Sequence, residues 1–209
     1  MRNVFYVIVC FVCTGIFSNT HAAKPKIKLS EPDKSVLVLY SPNVDAQLAK
    51  RNFGFMQRNV RGTLQQDNTL LRVKDFAPKE QLKIFSAMRS DKNVLVVVMI
   101  NSSDSHAPIV IYSTSMGAAV VNIAPIVRDK QLSDKVKSAV IDRSMMYALG
   151  RVAGMDACLN PYCALSEYKQ LPKKQLPGRN YCPNCIDKVG EKLQALGAGE
   201  AVAKRPAVK

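Results

Sequence analysis

The chain has 209 residues, 47% hydrophobic and 22% charged, with 30 Lys and Arg against 16 Asp and Glu for a net charge of +14. That length holds one ordinary domain with a real core, or two small ones, and the composition excludes a disordered chain. The positive surplus favours anionic partners such as nucleic acid, phospholipid headgroups or acidic polymers. It is spread out, however, with dense groups only at KPKIK (24–28), PKK (172–174) and the AKRPAVK tail, which is the pattern of a solvated surface.

The first 22 residues have the layout of an export signal. Arg2 precedes VFYVIVCFVCTGIF (4–17), a largely apolar run of fourteen residues, and SNTHAA follows as a polar, small-residue region suited to cleavage after Ala22 or Ala23. Fourteen residues fall short of the roughly 20 that span a bilayer as a helix, although an uncleaved anchor is the alternative. Neither Cys10 nor Cys13 follows the small residues of a lipid-attachment site. The expectation is a secreted or periplasmic protein with a linker over 23–34, a domain over 35–198 and a flexible basic tail over 199–209. Cleavage would leave four cysteines, one histidine (His106) and 29 basic residues against 16 acidic, a net +13.

SVLVLY (35–40) has strand length and is closed by SPN (41–43), a turn or helix start. DAQLAKRNFGFMQRNV (45–60) sets Leu48, Phe53 and Met56 near helical spacing, with Gly54 a weak point. NTLLRVKDF (68–76) is a second strand candidate. PKEQLKIFSAM (78–88) has a first-turn Pro and an apolar side, so it predicts a helix. NVLVVVMI (93–100) is apolar almost throughout, as a strand buried on both faces would be. PIVIYST (108–114) and AAVVNIA (118–124) are two further strands joined by SMG. Ser133 and Asp134 then cap a long helix beginning DKVKSAVIDRSMMYALGRV. A cysteine-bearing segment follows, then a Lys- and Pro-rich loop (169–180) and a last helix over 186–198. The order βαβαβββα with a small cysteine cap predicts one α/β domain, helices packed on a mixed sheet.

Within the long helix and beyond, YALGRVAGMDACLNPYC (147–163) keeps the spacing of a metalloprotease helix. A metzincin helix reads H-E-x-x-H-x-x-G-x-x-H: two His at i and i+4 face one Zn²⁺, the Glu activates its water, and the Gly turns the chain so that the third His closes the site. Gly154 matches the turn glycine. The first His position is then Tyr147, the Glu is Ala148, the second His is Arg151 and the third is Ala157. Cys158 comes next, Cys163 follows after four residues, and YCPNC adds Cys182 and Cys185. This closely resembles the archaemetzincin family, whose pattern continues H-C-x4-C-x-M and ends in an aromatic-C-x-x-C, and Leu149 and Gly150 also match residues often found between its first two His.

The resemblance extends over about 35–190 and implies a zincin-like mixed sheet with a long former active-site helix and a four-cysteine cap. In the family three His hold a catalytic zinc and four Cys a structural one. Here all three His and the Glu are replaced, and the Met of C-x-M is Leu165. Tyr147, Arg151 and Ala157 form no nitrogen cage, Ala148 offers no base, and Arg151 adds a permanent positive charge where the cation would sit. No catalytic zinc is expected, and one histidine cannot replace three. The rival reading is a generic buried helix with chance spacing. Against it, Gly150 and Gly154 would each cost a helix interior about 1 kcal/mol relative to Ala. Arg151 is expected to stand in electrostatically for the zinc, paired with Asp156 or Asp142 and covered by Tyr147.

C-x4-C and C-x2-C separated by eighteen residues suit a tetrahedral site of four thiolates, Cys158, Cys163, Cys182 and Cys185. The rival is two disulfides, favoured by export, or a redox-active Cys182–Cys185 pair; the family likeness implies one structural zinc. The loop Ser102, Ser103, Asp104, Ser105 and His106 is consecutive rather than convergent, so it is a loop and not a Ser–His–Asp triad. Phe53, Phe55 and Met56 are expected in the core. No phosphate-cradling Gly-rich loop and no specific nucleic-acid motif occur. The expectation is a catalytically silent exported protein that binds a peptide or protein ligand in its former substrate cleft, along the edge strand. The alternatives are a basic module on an anionic polymer or membrane surface, and thiol redox chemistry at the C-x-x-C.

Overall fold

The computed structural model describes residues 34–67, 78–102, 108–167 and 178–199. Its spine is NVLVVVMI, the most apolar of the expected strands, which forms β3 (Asn93–Ile100). On either side lie β1 (Ser35–Tyr40), β2 (Leu64–Asp67), β4 (Val110–Ser113) and β5 (Ala118–Asn122), in the order β2-β1-β3-β5-β4. All neighbours are parallel except β4, which runs antiparallel to β5 at one edge. The mixed α/β sheet expected from the sequence is therefore present.

Strand alternation sends side chains to two cores. Val36 and Val38, Val97 and Met99, and Ala119 and Val121 face α1 (Ala46–Asn59) and α4 (Asp134–Val152). Leu37, Leu39, Val96, Val98 and Val120 face Leu82 and Phe85 of α2 (Pro78–Ser86). Both faces of the central strands are covered, which is why β3 carries no polar alternation. Ser133 caps α4 as expected, accepting the Val136 amide at 3.4 Å, and Asp45, not singled out in the sequence, caps α1 by accepting the Leu48 amide at 2.8 Å. Gly54 does not interrupt α1.

Several elements differ from the sequence reading. The strand expected over 68–76 lies outside the described residues; the partner of β1 is the preceding LQQD (Leu64–Asp67), a half-exposed edge strand with no apolar signature. The short α3 (Ala124–Arg128) was not expected. The last helix, α5 (Pro183–Ala195), begins three residues early, with Pro183 in its first turn and Cys182 as its N-cap, so the C-x-x-C forms its start.

Asp142 is buried where α1 meets α4. It accepts from Asn52 at 2.9 Å and from Arg51 at 3.1 Å, and Arg179 reaches its other oxygen at 3.3 Å. Burial pushes its carboxyl pKa up against the pull of Asn52, Arg51 and Arg179. The fold therefore gains little from the charge itself, whereas it needs an acceptor for the buried Asn52 amide. Asp142→Asn, which keeps an acceptor, should stay within about 1 kcal/mol of the parent, while Asp142→Ala should lose about 2 kcal/mol in denaturant melts. Equal losses would show that the charge matters more than the acceptor.

Candidate functional site

The chain leaves α4 through two amide bonds. Gly154 donates to the Arg151 carbonyl at 3.1 Å and Met155 to that of Gly150 at 2.9 Å, the Schellman pattern, with Gly154 at φ +86°. Gly150 is small for a different reason: a Cβ there would lie 2.5 Å from Cδ2 of Leu165 and 3.3 Å from the Tyr181 hydroxyl. Tyr181 donates to the Met146 carbonyl at 2.6 Å from within the core, and this burial pushes its phenol pKa up. The two glycines thus let the cysteine segment turn back and seat Leu165 and Tyr181 on the helix.

The four cysteines are brought together and are free thiols. Their Sγ atoms lie within 4.8 Å of one another, a group able to hold a metal ion. Cys158 and Cys182 are 3.9 Å apart through sulfur, against about 3.8 Å expected for two thiolates on one tetrahedral Zn²⁺ with Zn–S near 2.3 Å and about 2.05 Å for a disulfide. The Cys182 amide donates to Cys163 Sγ at 3.3 Å. Burial pushes the Cys163 and Cys185 thiols up. Burial also opposes ionisation of Cys182, but the Cys185 amide and the neighbouring thiols outweigh it and hold that thiol below its ordinary value. The donor set fits one Zn²⁺.

Of the other four expected positions, only Tyr147 and Arg151 come together. Ala148 is buried in the core and Ala157 is exposed. Tyr147 and Arg151, four residues apart on α4, share a face toward β4 and meet Tyr112 there. Arg151 donates from Nε at 2.9 Å and Nη2 at 2.5 Å to the Tyr112 hydroxyl. Its guanidinium lies 5.1 Å from the Tyr112 ring centre and 5.9 Å from that of Tyr147. The covering by Tyr147 is as expected, but the acid partner is not: Asp142 belongs to Arg51 and Arg179, and no ion pair joins Arg151 to Asp156. Burial alone would lower the Arg151 pKa, yet the Tyr112 bond holds it above its ordinary value, and burial raises that of Tyr147. A guanidinium with two phenols offers Zn²⁺ neither imidazole nor carboxylate, so a catalytic zinc does not fit.

Beside this cluster a cleft of about 310 Å³ runs between β4 and α4, lined by Ile109, Val110, Ser144, Tyr147, Glu167 and the almost fully buried Arg143. Tyr112 and Arg143 were missed in the sequence. Strand alternation in PIVIYST would have put Val110 and Tyr112 on one face; no signal marks Arg143, whose partners lie in distant loops. Ser102 is buried and accepts Arg128 through its carbonyl at 2.8 Å, while Ser103, Asp104, Ser105 and His106 lie outside the described residues. Phe55 and Met56 are in the core and Phe53 packs against it.

No family model and no curated protein matches the chain. Solved structures do. An archaemetzincin from Methanopyrus kandleri superposes with a TM-score of 0.62 at 12% identity, over 78% of this chain and 97% of that one. A zinc-dependent peptidase from Methanocorpusculum labreanum gives 0.57 at 13%, over 74% and 100%. An archaemetzincin from Archaeoglobus fulgidus, complexed with malonate, gives 0.53 at 9%, over 73% and 98%. The fold is archaemetzincin-like, with a four-cysteine cluster near its C-terminal end.

Proposed function

We propose that the chain is an exported, catalytically silent protein on an archaemetzincin-like scaffold. One structural zinc sits on Cys158, Cys163, Cys182 and Cys185, and the cleft beside α4 binds a peptide or protein ligand. Arg151 is the observation that carries the reading. A permanent cation is fastened to Tyr112 where a peptidase of this scaffold would need a neutral metal ligand. The cysteine-bound zinc supplies folding energy. The cleft borders β4, which among the described residues stands at the sheet edge and leaves one rim of backbone N–H and C=O groups for an added strand. Export is supported by Arg2, the apolar run and SNTHAA.

Native mass spectrometry of the exported material, with metal analysis and a peptidase assay, tests all of this. The expected species begins near Ala23, carries one zinc per chain and cleaves no peptide. A second zinc, or cleavage abolished by a chelator, would overturn the silent assignment; a metal-free chain lighter by about four hydrogens would replace the zinc with two disulfides.

A second reading has its own support. Leu159 is fully exposed and Tyr162 is 75% exposed on the loop between Cys158 and Cys163, as side chains entering an anionic membrane surface would be. Binding to anionic vesicles that weakens steeply with salt would favour it over peptide capture. Thiol redox chemistry at Cys182 and Cys185 is disfavoured by the clustering of all four sulfurs; reductase activity lost in Cys185→Ala would reinstate it.

A further inference from the structure

The end of α4 gathers hydrogen-bond donors that lack acceptors among the described residues. A guanidinium has five N–H groups. In Arg151 one on Nε and one on Nη2 are committed to the Tyr112 oxygen. The remaining three are both on Nη1 and one on Nη2, and the Nη2 hydrogen with the neighbouring Nη1 hydrogen forms the end-on fork that matches a carboxylate. Among the described residues no carboxylate lies within ion-pair distance of this group, and neither the Tyr112 nor the Tyr147 hydroxyl donates to a protein acceptor.

The Tyr112 oxygen already accepts two N–H groups, so what it can still offer a ligand is its proton. The Tyr112 and Tyr147 rings meet edge to face at 6.4 Å with the guanidinium close to both. That packing restricts the guanidinium and limits water around it, which strengthens a charge-assisted bond. Glu167, exposed on the cleft lining, acts through its charge on both Arg151 and Tyr147 without reaching ion-pair distance, and it would repel a negative group placed on its side of the guanidinium.

We propose that Arg151, Tyr112 and Tyr147 form a carboxylate receptor, and that the peptide taken into the cleft is anchored there by one carboxylate. The inference rests on the peptide-cleft reading and adds its selectivity. The scaffold position that in a peptidase would hold a metal against a carbonyl oxygen instead holds an organic cation for an anionic oxygen. The carboxylate comes either from the chain terminus or from an Asp or Glu side chain.

Both sources can be separated by fluorescence anisotropy with three labelled probes: Ala-Val-Ala-Val as the free acid, its C-terminal amide, and Ala-Val-Glu-Val amide. At least one acidic probe should bind about tenfold more tightly than the neutral amide, and which one does so names the source. Arg151→Gln should abolish the preference, and Tyr112→Phe should reduce it about threefold, with melting temperature and metal content unchanged because Arg151 is half-buried at the helix end. Equal binding of acid and amide, or a preference that survives Arg151→Gln, overturns the receptor and leaves the cleft reading intact. If no peptide binds but malonate shifts the Arg151 Nε–H resonance, the receptor stands and the peptide cleft falls. If malonate also fails, both fall.

Discussion

Replacing Cys163 with serine should free the cysteine cap and α5 from the sheet while β3 stays protected. Cys163 is fully buried, receives the Cys182 amide and packs in the same core as Leu165, Tyr181, Val189 and Leu193. A four-thiolate zinc contributes on the order of 10 kcal/mol in small zinc domains, comparable with the whole stability of an ordinary domain. On the proposed zinc site, losing the ion therefore exceeds what the apolar contacts of α5 can hold alone. The effect should reach the far edge of the sheet as well, because the Thr63 amide just before β2 donates to Ala198 at 2.8 Å. Hydrogen exchange reads this directly: amides of α5, the 158–166 segment and β2 should lose protection, and those of β3 should keep it. Unchanged protection of α5, in the serine variant or after a chelator, would mean that no metal holds the cap.

Arg143→Met should lower the melting temperature by about 6–12 °C, corresponding to a loss of about 3 kcal/mol. The Arg143 side chain is almost completely buried on α4. Its Nη2 donates to the Ser166 carbonyl at 2.6 Å and the Ser166 hydroxyl at 2.7 Å, and Nη1 donates to the Gly178 carbonyl at 3.1 Å. One guanidinium thus ties the helix to both sides of the 168–177 segment. Methionine fills much of the volume but leaves two carbonyls and a hydroxyl without these donors, and each unsatisfied buried group costs about 1–3 kcal/mol. Arg143→Lys should recover only part of the loss, since a single ammonium cannot copy the planar fork. A melt within 1 °C of the parent would show that water replaces the donors freely. Calorimetry is the appropriate measurement because Arg143 also lines the cleft, so binding assays would mix two effects.

Much of the fold was legible where the signal is short in range. NVLVVVMI announces a strand covered on both sides, and Ser133 marks a helix start by chemistry acting over three residues. The cysteine spacing by itself marks the four thiols that the fold brings together. Gly150 and Gly154, costly in a helix interior, flagged a constraint at the end of α4, and the structure resolves it into a close approach of Leu165 and a left-handed turn. By contrast, LQQD carries no apolar pattern, because an edge strand half-open to water needs none, and α3 is too short for helical periodicity to register.

The sequence by itself determined which residue types stand at the metzincin spacing, since whether a side chain can ligate zinc depends on its own atoms. It likewise determined which runs must be buried. Only the tertiary structure decided what Arg151 touches. The sequence reading paired it with Asp142 or Asp156, near in the chain, yet α4 turns Asp142 toward α1 and presents Arg151 to Tyr112 on β4. That choice depends on which helix face meets which strand, a packing outcome involving residues 39 positions apart. Residue chemistry and helical period are local properties; the partner of a charged side chain is set by the fold as a whole.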